Sequence, residues 1–475
     1  MSISSWLATD GQTTQKKTLV VGGVVLLFVI SIAMVSYAFS GYLKTSTLLK
    51  GSSSKPASTP VPRPSAAAVK VPVVNIAYYD AKNFDLKFAS NIGGNWALAS
   101  VDSEGKVGQD TSLVVDKNGK MHIAYYDASD SNLKYATNAS VSGSWETTVV
   151  DSVGNVGWYP SIALDEYNKV YIAYADNTNK DLKFATNASG SWVMSVVDKG
   201  VSTLDVPGRY ISLALDKNVK AHVGYQFLSG GRIGSLRYAT NSSGVWVTSI
   251  LDRESYSGFG VSVKTDALGK VHISYYGKNK PKYINNVSGK WVGSLVDSGP
   301  TAGIGIVGFN TSLALDVNNI PYVCFTGGAS IVNYQLKCLS MVSGRWQSLT
   351  TIGQGKVGKY NSLAIDDKNN LYVSYYDEVK RTLEFASNAS GSWATTTVDS
   401  ESPVGTWTSL AMSYNYVVPP TPPVPYGPYV PSTLPLPYGP YVPPTPPLPY
   451  GSNNPATPTP PLPYGPYVPL PYTGR

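Results

Sequence analysis

Two cysteines and three histidines in 475 residues leave little material for stapled or metal-built chemistry. Two cysteines cannot make a disulfide framework. Three histidines nearly exclude a multi-histidine metal cage, so neither a metal nor any other cofactor is expected. Charge is also sparse: Asp, Glu, Lys and Arg together make up 14% of the chain, against roughly 25% in an ordinary soluble protein. The net charge of +7 comes from scattered Lys and Arg, not from a basic cluster, so no nucleic-acid partner is expected. Proline is thin until the C-terminus, and only one long apolar run occurs.

That run is Thr18–Phe39 (TLVVGGVVLLFVISIAMVSYAF), 22 residues without a charge. It is long enough to cross a bilayer as a helix. It follows a polar segment, 1–17, that ends in Lys16 and Lys17. A cleaved signal peptide is the competing reading, but its apolar region is usually shorter, about 7–15 residues. The expectation is a single-pass signal anchor, with the membrane as a partner. Lys44, Lys50 and Lys55 on the far side nearly balance the orientation signal. A cytoplasmic N-terminus is favoured, because the Tyr-rich remainder has an extracytoplasmic character. Residues 40–70, rich in Ser, Ala and Pro, read as a linker.

From about residue 71 to 416 the chain repeats itself. A segment of the form S-L-A-L-D recurs at Ser112–Asp116, Ser161–Asp165, Ser212–Asp216, Ser262–Asp266, Ser312–Asp316 and Ser362–Asp366, with a period of 49 to 51 residues. A seventh copy, Ser409–Ser413, lacks the Asp. Each of the six copies that keep the Asp is followed by a Y-Y-D-like segment, an L-K-F-A-T-N-like segment and a segment opened by Trp. All are short, rich in β-branched and aromatic residues, and bounded by Gly, Asn, Asp or Ser. These are strands and hairpin turns. The first copy lacks its S-L-A-L-D segment and the last copy has nothing after it, so the C-terminal strand should complete the first unit.

The repeat SLALD…HIAYYD…LKYATN…W resembles those of seven-bladed β-propellers in secreted and surface proteins. The resemblance covers residues 73–416 and implies an all-β fold of four-stranded blades, closed by the C-terminal inner strand. It implies little about activity, since propellers serve as lectins, adhesins, scaffolds and enzymes alike. The Gly-His and Trp-Asp marks of WD40 repeats are missing, as is a sialidase-type S-x-D-x-G-x-x-W box.

Residues 417–475 form a low-complexity tail in which P-Y-G-P-Y-V-P occurs at Pro425–Pro431, Pro437–Pro443 and Pro463–Pro469. Proline at this density forbids helix and sheet interior and reads as a disordered spacer.

Within the repeats, His122, His222 and His272 hold one position in three different blades. They should lie too far apart to form a triad or cage. The Asp of S-L-A-L-D reads as turn chemistry. Cys324 and Cys338 replace an Ala-like and an aromatic residue on neighbouring strands; a cross-strand disulfide and two buried thiols fit equally well. Asn138, Asn187, Asn241, Asn286 and Asn388 head N-x-S tripeptides, candidates for N-glycosylation in a suitable compartment.

The candidate ligand-binding surface is the set of loops leading into the inner strands. They carry Trp158, Tyr159, Arg209, Tyr210, Phe259, Phe309, Tyr360 and Trp407. Aromatics with a polar tip at one channel mouth suit sugar or protein contacts. No catalytic constellation stands out. The expected function is a membrane-anchored, non-catalytic attachment protein on a cell envelope or virus particle, with a glycan or surface protein as partner. A glycan-active enzyme and a structural scaffold are the alternatives.

Overall fold

The computed structural model describes residues 68–419, apart from short stretches at 140–142, 201–204, 231–232, 255, 300–309, 331, 354 and 402. The segment 1–17, the apolar run Thr18–Phe39, nearly all of the 40–70 linker and the Pro-rich tail from 420 onward lie outside the described residues. Among the described residues no helix is long and apolar enough to cross a membrane.

The described chain forms seven four-stranded antiparallel sheets, the blades of a propeller. Blade 1 combines residues 69–102 with the C-terminal strand Val404–Val417; blades 2 to 7 follow at 107–151, 156–199, 206–252, 259–295, 311–352 and 357–399. The closing strand pairs with Val69–Asp80, placing Ser409 opposite Ala77 and Ser413 opposite Val73. Each blade runs from an inner strand at the central channel to an outer strand at the rim.

Burial follows position in the blade. The second strand, such as Met121–Asp127, is buried at every residue, because a neighbouring blade covers each face. The outer strand, such as Glu146–Asp151, is exposed over its first four residues. A strand buried on both faces loses the apolar–polar alternation of a half-buried one, which explains the unbroken apolar segments in the sequence.

Three side-chain relationships repeat around the ring. The Ser of each S-L-A-L-D segment accepts a backbone N–H from the next blade. Ser112 accepts from Ile162 at 3.1 Å, Ser161 from Leu213 at 2.9 Å and Ser212 from Val263 at 2.9 Å. The series continues through Ser262, Ser312 and Ser362 and closes where Ser409 accepts from Leu113 at 3.0 Å.

Farther out, a second-strand Tyr donates to the Asp ending the preceding blade's outer strand, and a third-strand cation joins the same carboxylate. Tyr78 and Lys87 reach Asp399 at 2.7 and 2.6 Å. Tyr125 with Lys134, Tyr174 with Lys183, Tyr225 with Arg237 and Tyr275 with Lys282 repeat this on Asp102, Asp151, Asp198 and Asp252.

At the rim, the Trp opening the outer strand packs edge-on against a third-strand aromatic of the preceding blade. Trp145 lies 5.2 Å from Phe88 and Trp246 5.1 Å from Phe184. Trp393 instead packs against the cluster holding Cys338, which stands where other blades have Phe or Tyr. Cys324 and Cys338 face one another in the strand register and are joined by a disulfide.

Candidate functional site

The aromatic residues expected in loops lie instead inside the inner strands, at a β-bulge. In blade 3, Trp158 pairs with Ala175 and Ser161 with Ala173, so Tyr159 and Pro160 together face one residue of the partner strand. The extra residue takes a left-handed conformation: φ is +50° at Tyr159, Tyr210 and Trp407, and +53° at Tyr360 and Asp110. A non-glycine residue there is strained by roughly 1–3 kcal/mol, and such strain is held only where the surroundings over-determine it. A bulge re-aims side chains, here toward the axis. The glycine two residues earlier is required by blade packing. A Cβ on Gly157 would lie 2.6 Å from the Leu133 Cα of the preceding blade.

Position therefore sorts the candidates. The bulge residues Tyr159, Tyr210, Tyr360 and Trp407, with Trp158, line a cavity of about 350 Å3 at this channel mouth. Tyr159 and Tyr210 are 5.2 Å apart between ring centroids, and Tyr360 and Trp407 are 5.4 Å apart.

The residue just before the bulge points between blades. Trp158 is tilted against Tyr126 at 4.6 Å and donates its indole N–H to Asn155 at 2.6 Å. Phe259 lies 5.2 Å from Tyr210 but packs into the core between blades 5 and 6. Arg209 sits over Tyr159 and Tyr210, its guanidinium carbon 6.0 and 5.7 Å from their ring centroids. Phe309 lies outside the described residues.

Seven lining residues were not among the sequence candidates: Gln109, Asp110, Thr111, Pro160, Ile211, Asn310 and Thr408. Asp110 holds in blade 2 the place that Tyr159 holds in blade 3. The signal was the shared frame of G-Q-D-T-S and G-W-Y-P-S, which a search for aromatics passes over. Asp110 accepts the Tyr159 backbone N–H at 3.3 Å. It is partly open to channel water yet walled by protein. That burial pushes its carboxyl up to about 6, against the opposing pull of the Tyr159 N–H and Arg209. Burial likewise pushes the Tyr210 phenol up to about 12, so it stays a hydrogen-bond donor at neutral pH. Asn310 donates its amide to the Asn361 carbonyl at 2.7 Å.

The other candidates are distributed elsewhere. His122, His222 and His272 are buried separately in blades 2, 4 and 5, each with Nδ1 within 2.6 Å of a third-strand Tyr hydroxyl. Among the described residues no group of His, Cys, Asp and Glu could hold a metal ion. The S-L-A-L-D carboxylates accept turn N–H groups; Asp116 takes those of Asn118 and Lys120, both at 2.8 Å. Asn138, Asn187, Asn241, Asn286 and Asn388 each spend the side-chain oxygen on the N–H opening the second strand, as Asn187 does for Val170 at 2.8 Å. They lie at the end of the blades opposite the aromatic mouth.

No family model and no curated protein matches the chain. Solved structures are similar to it in fold. They include a variant of the Aleuria aurantia lectin in complex with Fucα1-6GlcNAc, 13% identical, with a TM-score of 0.42 over 62% of this chain and 96% of that one. AofleA from Arthrobotrys oligospora is 12% identical, with a TM-score of 0.43 over 63% and 88%. The Hadza microbial sialidase Hz136 is 11% identical, with a TM-score of 0.42 over 61% and 70%. The propeller assignment rests on this chain's own strand pairing.

Proposed function

We propose that this protein is a non-catalytic binding module that takes a saccharide at the aromatic mouth of its propeller and is displayed on a surface by an N-terminal membrane anchor. The observation that carries the reading is the cavity itself. Tyr159, Tyr210, Tyr360 and Trp407 offer ring faces to the apolar C–H face of a sugar. Asp110, Asn310 and the phenol hydroxyls supply acceptors and donors for its hydroxyl groups. A few fixed polar groups in a mainly apolar concavity are what a small-ligand site needs.

A glycosidase of the usual kind needs two carboxyl groups flanking the bond it cleaves. Among the described residues lining this cavity Asp110 is the single carboxylate, which favours binding over turnover. The anchor rests on the charge-free run Thr18–Phe39. Val69, where the described chain enters the propeller, belongs to the start of a second strand and so lies at the end of the channel opposite the aromatic mouth.

The test is a glycan-array screen of the full chain followed by titration calorimetry. Binding weakened about tenfold or more by Tyr159→Ala, Tyr210→Ala or Tyr360→Ala supports the site. Binding unaffected by all three removes it, and turnover of any glycan restores the enzymatic alternative. Protease accessibility of the tail in sealed vesicles tests the anchored orientation.

A further inference from the structure

The bulge position of the inner strands carries a charge in one blade alone. Round the ring it holds Tyr360, Trp407, Asp110, Tyr159 and Tyr210 in blades 7, 1, 2, 3 and 4. Asp110 therefore stands at the centre of an arc, with two aromatic residues on either side. On one flank the Tyr159 and Tyr210 rings lie 5.2 Å apart between centroids, tilted by 36°. On the other, Tyr360 and Trp407 lie 5.4 Å apart, tilted by 50°. All five residues have φ between +50° and +53°, and all five line the 350 Å3 cavity. Across the ring, blades 5 and 6 offer only Gly260 and the Asn310 amide, so the arc has an open side.

The carboxylate at the centre of the arc lacks the partners that others of this fold have. Asp102, Asp151, Asp252 and Asp399 each hold a lysine ammonium and a Tyr hydroxyl at a blade junction. The S-L-A-L-D carboxylates accept two turn N–H groups apiece, as Asp266 does from Leu268 and Lys270. Asp110 accepts one backbone N–H, from Tyr159 at 3.3 Å, through Oδ2. Among the described residues its Oδ1 has no partner and no ion pair includes it. Two cations stand near in sequence position. Arg209 lies over the Tyr159 and Tyr210 rings and donates to the Tyr159 hydroxyl at 3.5 Å, but it does not line the cavity. Lys359, at the same place in blade 7, pairs with Glu378 at 2.5 Å.

Aromatic faces carry negative charge density, so rings grouped about a carboxylate make a concavity that favours a cation. A hard metal ion would need several oxygen ligands, which one carboxylate does not supply. An organic ammonium needs a single counter-charge and ring faces for the carbon groups around its nitrogen. A neutral sugar would use the rings and leave the lone carboxylate without a counter-charge.

We infer that the aromatic mouth takes an organic ammonium group, seated against Asp110 between the Tyr159–Tyr210 and Tyr360–Trp407 pairs. The group is borne by an amino sugar or is of the choline type. This deepens the saccharide reading, on which the amino-sugar form rests.

The test is titration calorimetry of the full chain near neutral pH with a β-1,4 glucosamine trimer, with its N-acetylated counterpart and with choline. The expected result is saturable binding of the glucosamine trimer, of choline or of both, with the N-acetylated trimer at least about tenfold weaker than the better of them. That comparison uses the wild-type chain and depends on no variant. Binding should weaken at least about tenfold in Asp110→Asn and in Trp407→Leu and be retained in Trp407→Phe, which keeps a ring face. Circular dichroism checks that the variants fold. An N-acetylated trimer that binds as tightly as the glucosamine trimer overturns the inference and leaves the saccharide reading standing. Binding of choline alone supports the inference and overturns the saccharide reading. Binding of neither ammonium ligand, or equal binding by wild type and Asp110→Asn, overturns the inference.

Discussion

The Ser409 hydroxyl accepts the Leu113 backbone N–H at 3.0 Å, joining residues 296 positions apart in sequence. It is the seventh link in a ring whose other six links join adjacent repeats. Its energy is that of an ordinary hydrogen bond, about 1 kcal/mol. Its place differs, because it ties the C-terminal strand across the junction where the circle closes. Ser409→Ala should therefore cost about 1 kcal/mol in denaturant unfolding, as Ser212→Ala should. In Ser409→Ala alone, amide exchange should quicken along both Val404–Val417 and Val69–Asp80. Equal exchange in the two variants would mean that closure has no special weakness.

Acid sensitivity follows from the blade junctions. At Asp102, Asp151, Asp252 and Asp399 burial opposes ionisation, but hydrogen bonds from Lys and Tyr outweigh it and hold each carboxyl below 3.8. A carboxyl lowered in the folded state contributes stability that is present above its unfolded value and is lost as pH falls through the folded one. The unfolding midpoint should drop below about pH 4, and the drop should be shallower in Asp399→Asn. A midpoint that is flat to pH 2 would show that these junctions do not govern stability.

Asp110 has the opposite sign. Its carboxyl rises from 3.8 to about 6 on folding. The ionised form is thus disfavoured in the fold, and the penalty grows between those two values as pH rises. Asp110→Asn should raise the melting temperature at pH 7.5 and leave it nearly unchanged at pH 4. The same replacement should weaken saccharide binding at pH 7.5, because an amide presents one acceptor where the carboxylate presents two. A melting temperature that is unaltered at both pH values would place Asp110 in open water.

The disulfide blade offers a packing test. Cys338 stands where the preceding blades put the Phe or Tyr that receives a Trp, and Trp393 packs there against the cluster containing Cys338. Cys324→Ala with Cys338→Phe restores the repeat's own pair. It should be more stable than Cys324→Ala with Cys338→Ala by about 2 kcal/mol or more, since the latter leaves a cavity under Trp393. Equal unfolding midpoints for the two double variants would show that the site collapses around the smaller side chains.

Much of the fold was legible because each blade states the same pattern again. The strand count, the blade number and the incomplete first unit could all be read by setting one copy against the next. The constant Ser, Tyr, Asp and Lys were legible as constants but not as partners. Tyr78 meets Asp399, and nothing local in either segment points to the other. The aromatic candidates were found as a group and misplaced in detail. They were read as loop residues, whereas the strand runs straight through them, past a Gly required by the approach of the neighbouring blade.

The sequence by itself determined the propeller, because hydrophobic period, turn residues and a 49- to 51-residue repeat are local properties that survive without neighbours. Only the tertiary structure decided which residues share the channel. A bulge that turns φ positive sends Tyr159 inward and leaves Trp158 between blades. Closure of the ring brings Asp110, Tyr360 and Trp407 to one mouth. Those relations depend on rotation about an axis that no single repeat contains.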